Sequence, residues 1–129
     1  MRAFLASSVG LVLLAVVAPA ALADDAAVCA YMTQVVTETN TGAPYMVDTI
    51  TRSEPATLDC TTRIVSFNWS ILLGEAELTT EWHDALKANF ENNFCSEPQF
   101  VESLRTGWKI IASWKTEDGA GFATEVTCP

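Results

Sequence analysis

The stretch IVSFNWSI, residues 64–71, alternates Val65, Phe67, Trp69 and Ile71 with Ser66, Asn68 and Ser70. A period of two puts each set on its own face of a β-strand, so the segment predicts a sheet with one apolar face on a core and a largely polar face opposite. The extended run covers residues 58–72, and another precedes it at residues 45–52. Ser53-Glu54-Pro55-Ala56 between them has the composition of a turn, so the two read as a hairpin.

A second hairpin closes the chain, with strands at residues 108–116 and 120–127. A two-residue Asp118-Gly119 loop would set Trp114 opposite Ala123 and send Phe122 to the wrong face. A three-residue Glu117-Asp118-Gly119 loop with Gly119 left-handed pairs Trp114 with Phe122, Ala112 with Thr124 and Ile110 with Val126. That register keeps the apolar set together and is preferred. It also sets Trp108 opposite Cys128.

Helical spacing fills the remainder. Val28, Cys29, Met32, Val35 and Val36 form one stripe behind a cap at Asp25, ending near Asn40-Thr41-Gly42. Trp82, Leu86, Phe90 and Phe94 recur every four residues after a cap at Thr79 or Thr80, with Ala85 beside them. Ser96-Glu97-Pro98-Gln99 has the form of a capping box opening a short helix to Gly107. The order α-β-β-α-α-β-β predicts a single α+β domain, a four-stranded, mostly antiparallel sheet with helices on one face.

The first 23 residues stand apart. Arg2 supplies a positive start, residues 11–17 an apolar core, and Ala21-Leu22-Ala23 a small-x-small cleavage site, so residues 1–23 read as a signal peptide and residues 24–129 as the mature domain. Ser7, Ser8, Gly10 and Pro19 break the apolar run below the length of about 20 that a spanning helix needs. The expected place is the periplasm or the exterior, with no stable membrane insertion after cleavage. Loss of Arg2 leaves six basic against 16 acidic residues, taking the net charge from -9 to -10. Such a chain repels nucleic-acid phosphates and anionic membrane surfaces.

An oxidising compartment makes Cys29, Cys60, Cys95 and Cys128 a disulfide framework. Their spacings of 31, 35 and 33 lack the close pairs of zinc or thioredoxin-type redox sites, so no metal site is expected. Three pairings are open; the hairpin register favours Cys95 with Cys128, which leaves Cys29 for Cys60.

Candidates for chemistry are few. His83 beside Asp84 is the minimum for acid-base work and would serve a small secreted hydrolase. Adjacent helical residues diverge by about 100°, however, and both fall off the apolar stripe on a solvent-facing side, so no catalytic residue is assigned. No calcium-loop spacing, nucleophile elbow or cofactor motif occurs. Trp69, Trp108 and Trp114 could hold a small apolar ligand between sheet and helices, although their strand positions equally suit core packing.

The segments MVDTITR (46–52), Asp59-Cys60, NFCSEP (93–98), Gly107-Trp108, Asp118-Gly119 and Cys128 resemble those of small exported bacterial α+β domains of uncharacterised function. The similarity covers residues 45–128. It implies the fold and export and carries no catalytic residues across. The expected role is a non-enzymatic, cofactor-free accessory module of the bacterial envelope that binds another exported or envelope protein.

Overall fold

The computed structural model describes residues 24–129, and residues 1–23, read above as a signal peptide, lie outside the described residues. Helix α1 (Asp25–Asn40) leads into β1 (Tyr45–Met46), β2 (Thr51–Asp59) and β3 (Ile64–Ile71). A 3-10 turn at Glu75–Glu77 then precedes α2 (Trp82–Phe94), α3 (Pro98–Arg105), β4 (Lys109–Thr116) and β5 (Gly121–Glu125). The five strands lie side by side in chain order. All neighbours are antiparallel except β3 and β4, which run parallel in a register that sets Trp69 beside Trp114. Parallel neighbours need a long crossover, and α2 with α3 supply it.

The alternation in β3 is realised. Val65, Phe67, Trp69 and Ile71 are buried against the helices, whereas Ser66, Asn68 and Ser70 lie half-buried on the other face. Trp69 stacks on Trp114 at 5.1 Å between centroids, and Phe90 of α2 meets Trp69 edge-on at 5.1 Å. Phe94 stacks on Phe100 at 4.3 Å and stands edge-on to Phe67, joining both crossover helices to the sheet. Truncating rings packed this way costs several kcal/mol each, about 3 to 5 for Phe→Ala.

The C-terminal hairpin takes the three-residue loop that its pattern predicts. Trp114 pairs with Phe122 and Ala112 with Thr124, and the Val126 N–H donates to the Ile110 carbonyl at 2.8 Å. Gly119 has φ 88°, a conformation open to glycine and costly for most other residues.

The first hairpin differs from expectation. Ser53 to Ala56 lie inside β2, and the reversal falls at residues 60–63, where Asp59 accepts the N–H groups of Thr61 and Thr62 and Arg63 takes a φ of 60°. Residues 45–52 are not one strand, because 47–50 turn back through Asp48, whose carboxylate accepts the Ile50 and Thr51 N–H groups. This added strand β1 makes five rather than four. Pro55 is tolerated because it falls where the β2–β3 register shifts, so its missing N–H interrupts no pairing. At the same irregularity Asn40, the last residue of α1, acts as a stand-in strand: its Oδ1 accepts the Ala56 N–H at 2.7 Å and its Nδ2 donates to the Ala56 carbonyl at 3.0 Å.

Helix ends also depart from the pattern. Asp24, not Asp25, caps α1 by accepting the Ala27 N–H at 2.8 Å. Glu81 precedes α2 without a side-chain cap, and the Trp82 N–H reaches the Thr79 carbonyl. The capping box at Ser96 does not form, since Ser96 donates its hydroxyl back to the Asn93 carbonyl at 2.7 Å and so serves the end of α2. Glu97 precedes α3, with Pro98 in its first turn, a position where proline loses nothing.

Cys29 bonds Cys60 and Cys95 bonds Cys128, and among the described residues no cysteine is free. Replacing Cys95 and Cys128 together by Ser is expected to cost about 3 to 4 kcal/mol of unfolding free energy in a urea titration. Asn40→Ala leaves both backbone groups of Ala56, which is 5% exposed, without their partners. We expect a loss of about 2 to 3 kcal/mol, with Asn40→Asp recovering part through the acceptor it keeps; an Asn40→Ala midpoint equal to wild type would contradict this.

Candidate functional site: an open sheet edge and a small cleft

The two edges of the sheet are finished differently. On one side β1 is two residues long, and Ala56 beyond it is sealed by Asn40. On the other side, among the described residues, no strand lies beyond β5. The Thr116 N–H donates to Ala120 and the Val126 N–H to Ile110, so even-numbered residues turn their backbone groups toward β4. By alternation Gly121, Ala123 and Glu125 turn theirs outward. Only the Glu125 carbonyl has a contact there among the described residues, with the Thr124 hydroxyl at 3.5 Å. Proline, lysine and bulges, the usual protections of an edge, are absent from this strand.

The run of outward groups stops at Thr127, whose N–H and hydroxyl both donate to Glu91 Oε2, at 3.0 and 3.3 Å. Burial raises the Glu91 pKa, but bonds from Lys87 and Thr127 outweigh it and hold the carboxyl below its usual range. This tie and the Cys95–Cys128 bond fix the last residues against α2. Next to them a cleft of about 310 Å³ opens between α3 and the C-terminal segment, its wall shared by Val101, Leu104, Trp108, Val126 and Cys128 with the polar Arg105, Glu125 and Thr127.

Of the three tryptophans proposed for a ligand, only Trp108 lines this cleft, and it too belongs to the core, 2% exposed. Trp69 and Trp114 are stacked in the core, 2% and 1% exposed, where rings of the two layers fill the space. Asn68, though within an Asn-x-Ser sequence, donates its side-chain amide to the Pro55 carbonyl.

His83 is not the solvent-facing residue that its helical position suggested. It is half-buried, stacked on Phe122 at 4.3 Å and meeting Trp82 edge-on at 4.2 Å. The first turn of α2 lies over the start of β5, which draws the imidazole onto an aromatic face. Its Nε2 is buried without a hydrogen-bond partner among the described residues, and Asp84 is exposed. The two do not form an oriented acid-base pair. No group of three or more potential metal ligands occurs among the described residues.

Charges of both signs lie near the open edge, where Lys115 pairs with Gly121 and Arg105 shares the cleft with Glu125. Glu117 and Asp118 occupy the hairpin tip, Glu125 ends β5, and Glu81 and Asp84 flank the Trp82-His83 pair that packs on Phe122. Asp118 is held below the usual carboxylate range, first by the Thr116 hydroxyl and then by the Glu75 N–H. Sequence reasoning found the hairpin and its register but missed the open edge, because edge status depends on which strands neighbour which.

The depressed Glu91 pKa fixes the sign of an acid effect. Its contribution is complete above the unfolded carboxyl value of about 4.3 and is lost as pH falls through the lower folded value. Glu91→Gln should therefore cost about 1 kcal/mol at pH 7, and the gap to wild type should narrow at pH 3. Urea midpoints at the two pH values measure it; a gap that widens in acid would refute the assignment.

No protein-family model and no curated protein sequence matches the chain. Among solved structures, the chain is similar to a Pseudomonas aeruginosa protein described as secreted, whose crystal structure was determined at 1.60 Å. The two share 15% sequence identity over 78% of this chain and 90% of that one, with a TM-score of 0.59. The likeness is one of fold: a small bacterial protein arranges its chain in the same α+β architecture.

Proposed function

We propose that this is an exported, non-enzymatic module that binds another protein of the bacterial envelope or exterior, by accepting an extended segment of that protein along β5. The carrying observation is the open edge at Gly121, Ala123 and Glu125 in a sheet whose opposite edge is covered by β1 and, at Ala56, by Asn40. Unpaired strand edges template the addition of another strand, with main-chain bonds supplying affinity. Export is supported by the leader pattern, by two disulfides, and by the similarity to a protein described as secreted. Among the described residues no helix is long and apolar enough to cross a membrane.

The cleft beside Trp108 favours a second reading, the binding of a small apolar ligand. Its volume of about 310 Å³ sits at the lower end of ligand pockets and would take a short acyl or aromatic group. Leu104→Glu should abolish uptake of such a probe and leave strand addition intact.

Ala123→Pro separates the first reading from its rivals. Residue 123 directs its N–H away from β4, so proline removes a bond that only a partner could make, and edge strands accept proline at such positions. The variant should keep the circular dichroism of wild type and melt within a few degrees of it, yet lose proteins that immobilised wild type captures from the exported fraction. An identical captured set would defeat the proposal.

A further inference from the structure

We infer that the β5 edge pairs with the same edge of a second copy of this chain, joining two sheets into one across a two-fold axis at Ala123. This goes beyond the strand-addition reading, sharing its edge but naming an occupant that any partner segment would have to displace. The backbone is already set for it. Gly121, Ala123 and Glu125 turn their N–H and carbonyl groups outward, so an antiparallel register centred on Ala123 sets residue 121 opposite 125, 123 opposite 123 and 125 opposite 121 of the second copy. Each such pair exchanges two backbone hydrogen bonds. The Thr124 hydroxyl at the Glu125 carbonyl, 3.5 Å away, leaves that oxygen a second lone pair.

Charge complementarity selects this register. Lys115 stands opposite Gly121 on the helix-free face of the sheet, and Glu125 of the second copy falls on the far side of the same glycine. Two strand spacings, about 10 Å, then separate the backbones of Lys115 and Glu125, and with no side chain on Gly121 between them the two long side chains can meet. The two-fold axis makes the contact twice. Neither residue is used in its own chain: both are exposed and form no ion pair among the described residues, and Arg105, which shares the cleft wall with Glu125, is held by Glu102 at 3.4 Å. On the other face the register sets the half-buried Phe122 against Thr124 of the second copy in a close pair. The body of α2 packs through Phe90 and Phe94 on Trp69 and Phe67 of β3, and so stands back from the joined edges. Each copy is acidic, at -9 for the whole chain, but screening over about 8 Å at physiological ionic strength weakens repulsion between distant carboxylates more than attraction between charges in contact.

The test is the mass of the oxidised protein in sedimentation equilibrium from about 1 μM to about 1 mM at physiological ionic strength. A five-residue edge makes a small interface, so wild type should pass from monomer to dimer within that range, and Ala123→Pro should stay monomeric throughout. Lys115→Glu and Glu125→Lys, both at exposed positions, should each weaken dimerisation at least about tenfold, because each homodimer then has like charges at both contacts. Mixed in equal amounts, the two variants should dimerise as wild type does, since every contact again joins Lys to Glu. Glu125 lies at the far end of β5 from Gly121, the residue opposite Lys115, so this rescue cannot arise within one chain. Wild type that stays monomeric at about 1 mM would overturn the inference and leave strand addition to the capture experiment. A dimer that survives Ala123→Pro would lie on another surface, and single variants that dimerise like wild type or fail to rescue one another would deny the register; each of these overturns the inference.

Discussion

The parallel pairing of β3 with β4 governs the molecule. Strands that run the same way cannot be joined by a tight turn, so the chain must leave the sheet after Ile71, cross it, and return at Lys109. α2 and α3 are that path. The register then sets Trp69 and Trp114 side by side at the centre, where Phe90 closes over both rings. Because the crossover lies on one face, that face becomes the core and the other remains the solvent side, with Ser66, Asn68, Ser113 and Lys115.

Edges follow from the same constraint. With β3 and β4 central, each hairpin contributes one outer flank, and the two flanks meet different fates. The N-terminal helix reaches the β2 side, where the Asn40 amide occupies a strand position at Ala56. Among the described residues nothing comparable reaches Gly121 or Ala123, since α2 engages β5 through the aromatic contacts of Phe122 and rejoins the chain at Thr127 through Glu91 and at Cys128 through Cys95.

Much of this was legible in the residues. Strict alternation announced β3, and the conflict between two loop lengths decided the β4–β5 register, because only one kept Trp114 and Phe122 on a common face. Pro55 misled, as its composition says turn, whereas tertiary contacts from Asn40 and Asn68 make a bulge comfortable there. Ser96 misled in the same way, its hydroxyl having two helix ends within reach and serving the earlier one. His83 was placed by its own helix, but Phe122, 39 positions later in sequence, determines its surroundings. The open edge was invisible because local pattern reports which segments are strands, and strand order is a long-range property.

The disulfides link each cysteine to the next along the chain, the first to the second and the third to the fourth. A chain threaded through a membrane from its N-terminus presents Cys29 and Cys60 together before Cys95 has emerged. Oxidation in order of arrival would then give the same pairing as the folded structure. The connectivity thus lets each bond close without waiting for the cysteines of the other.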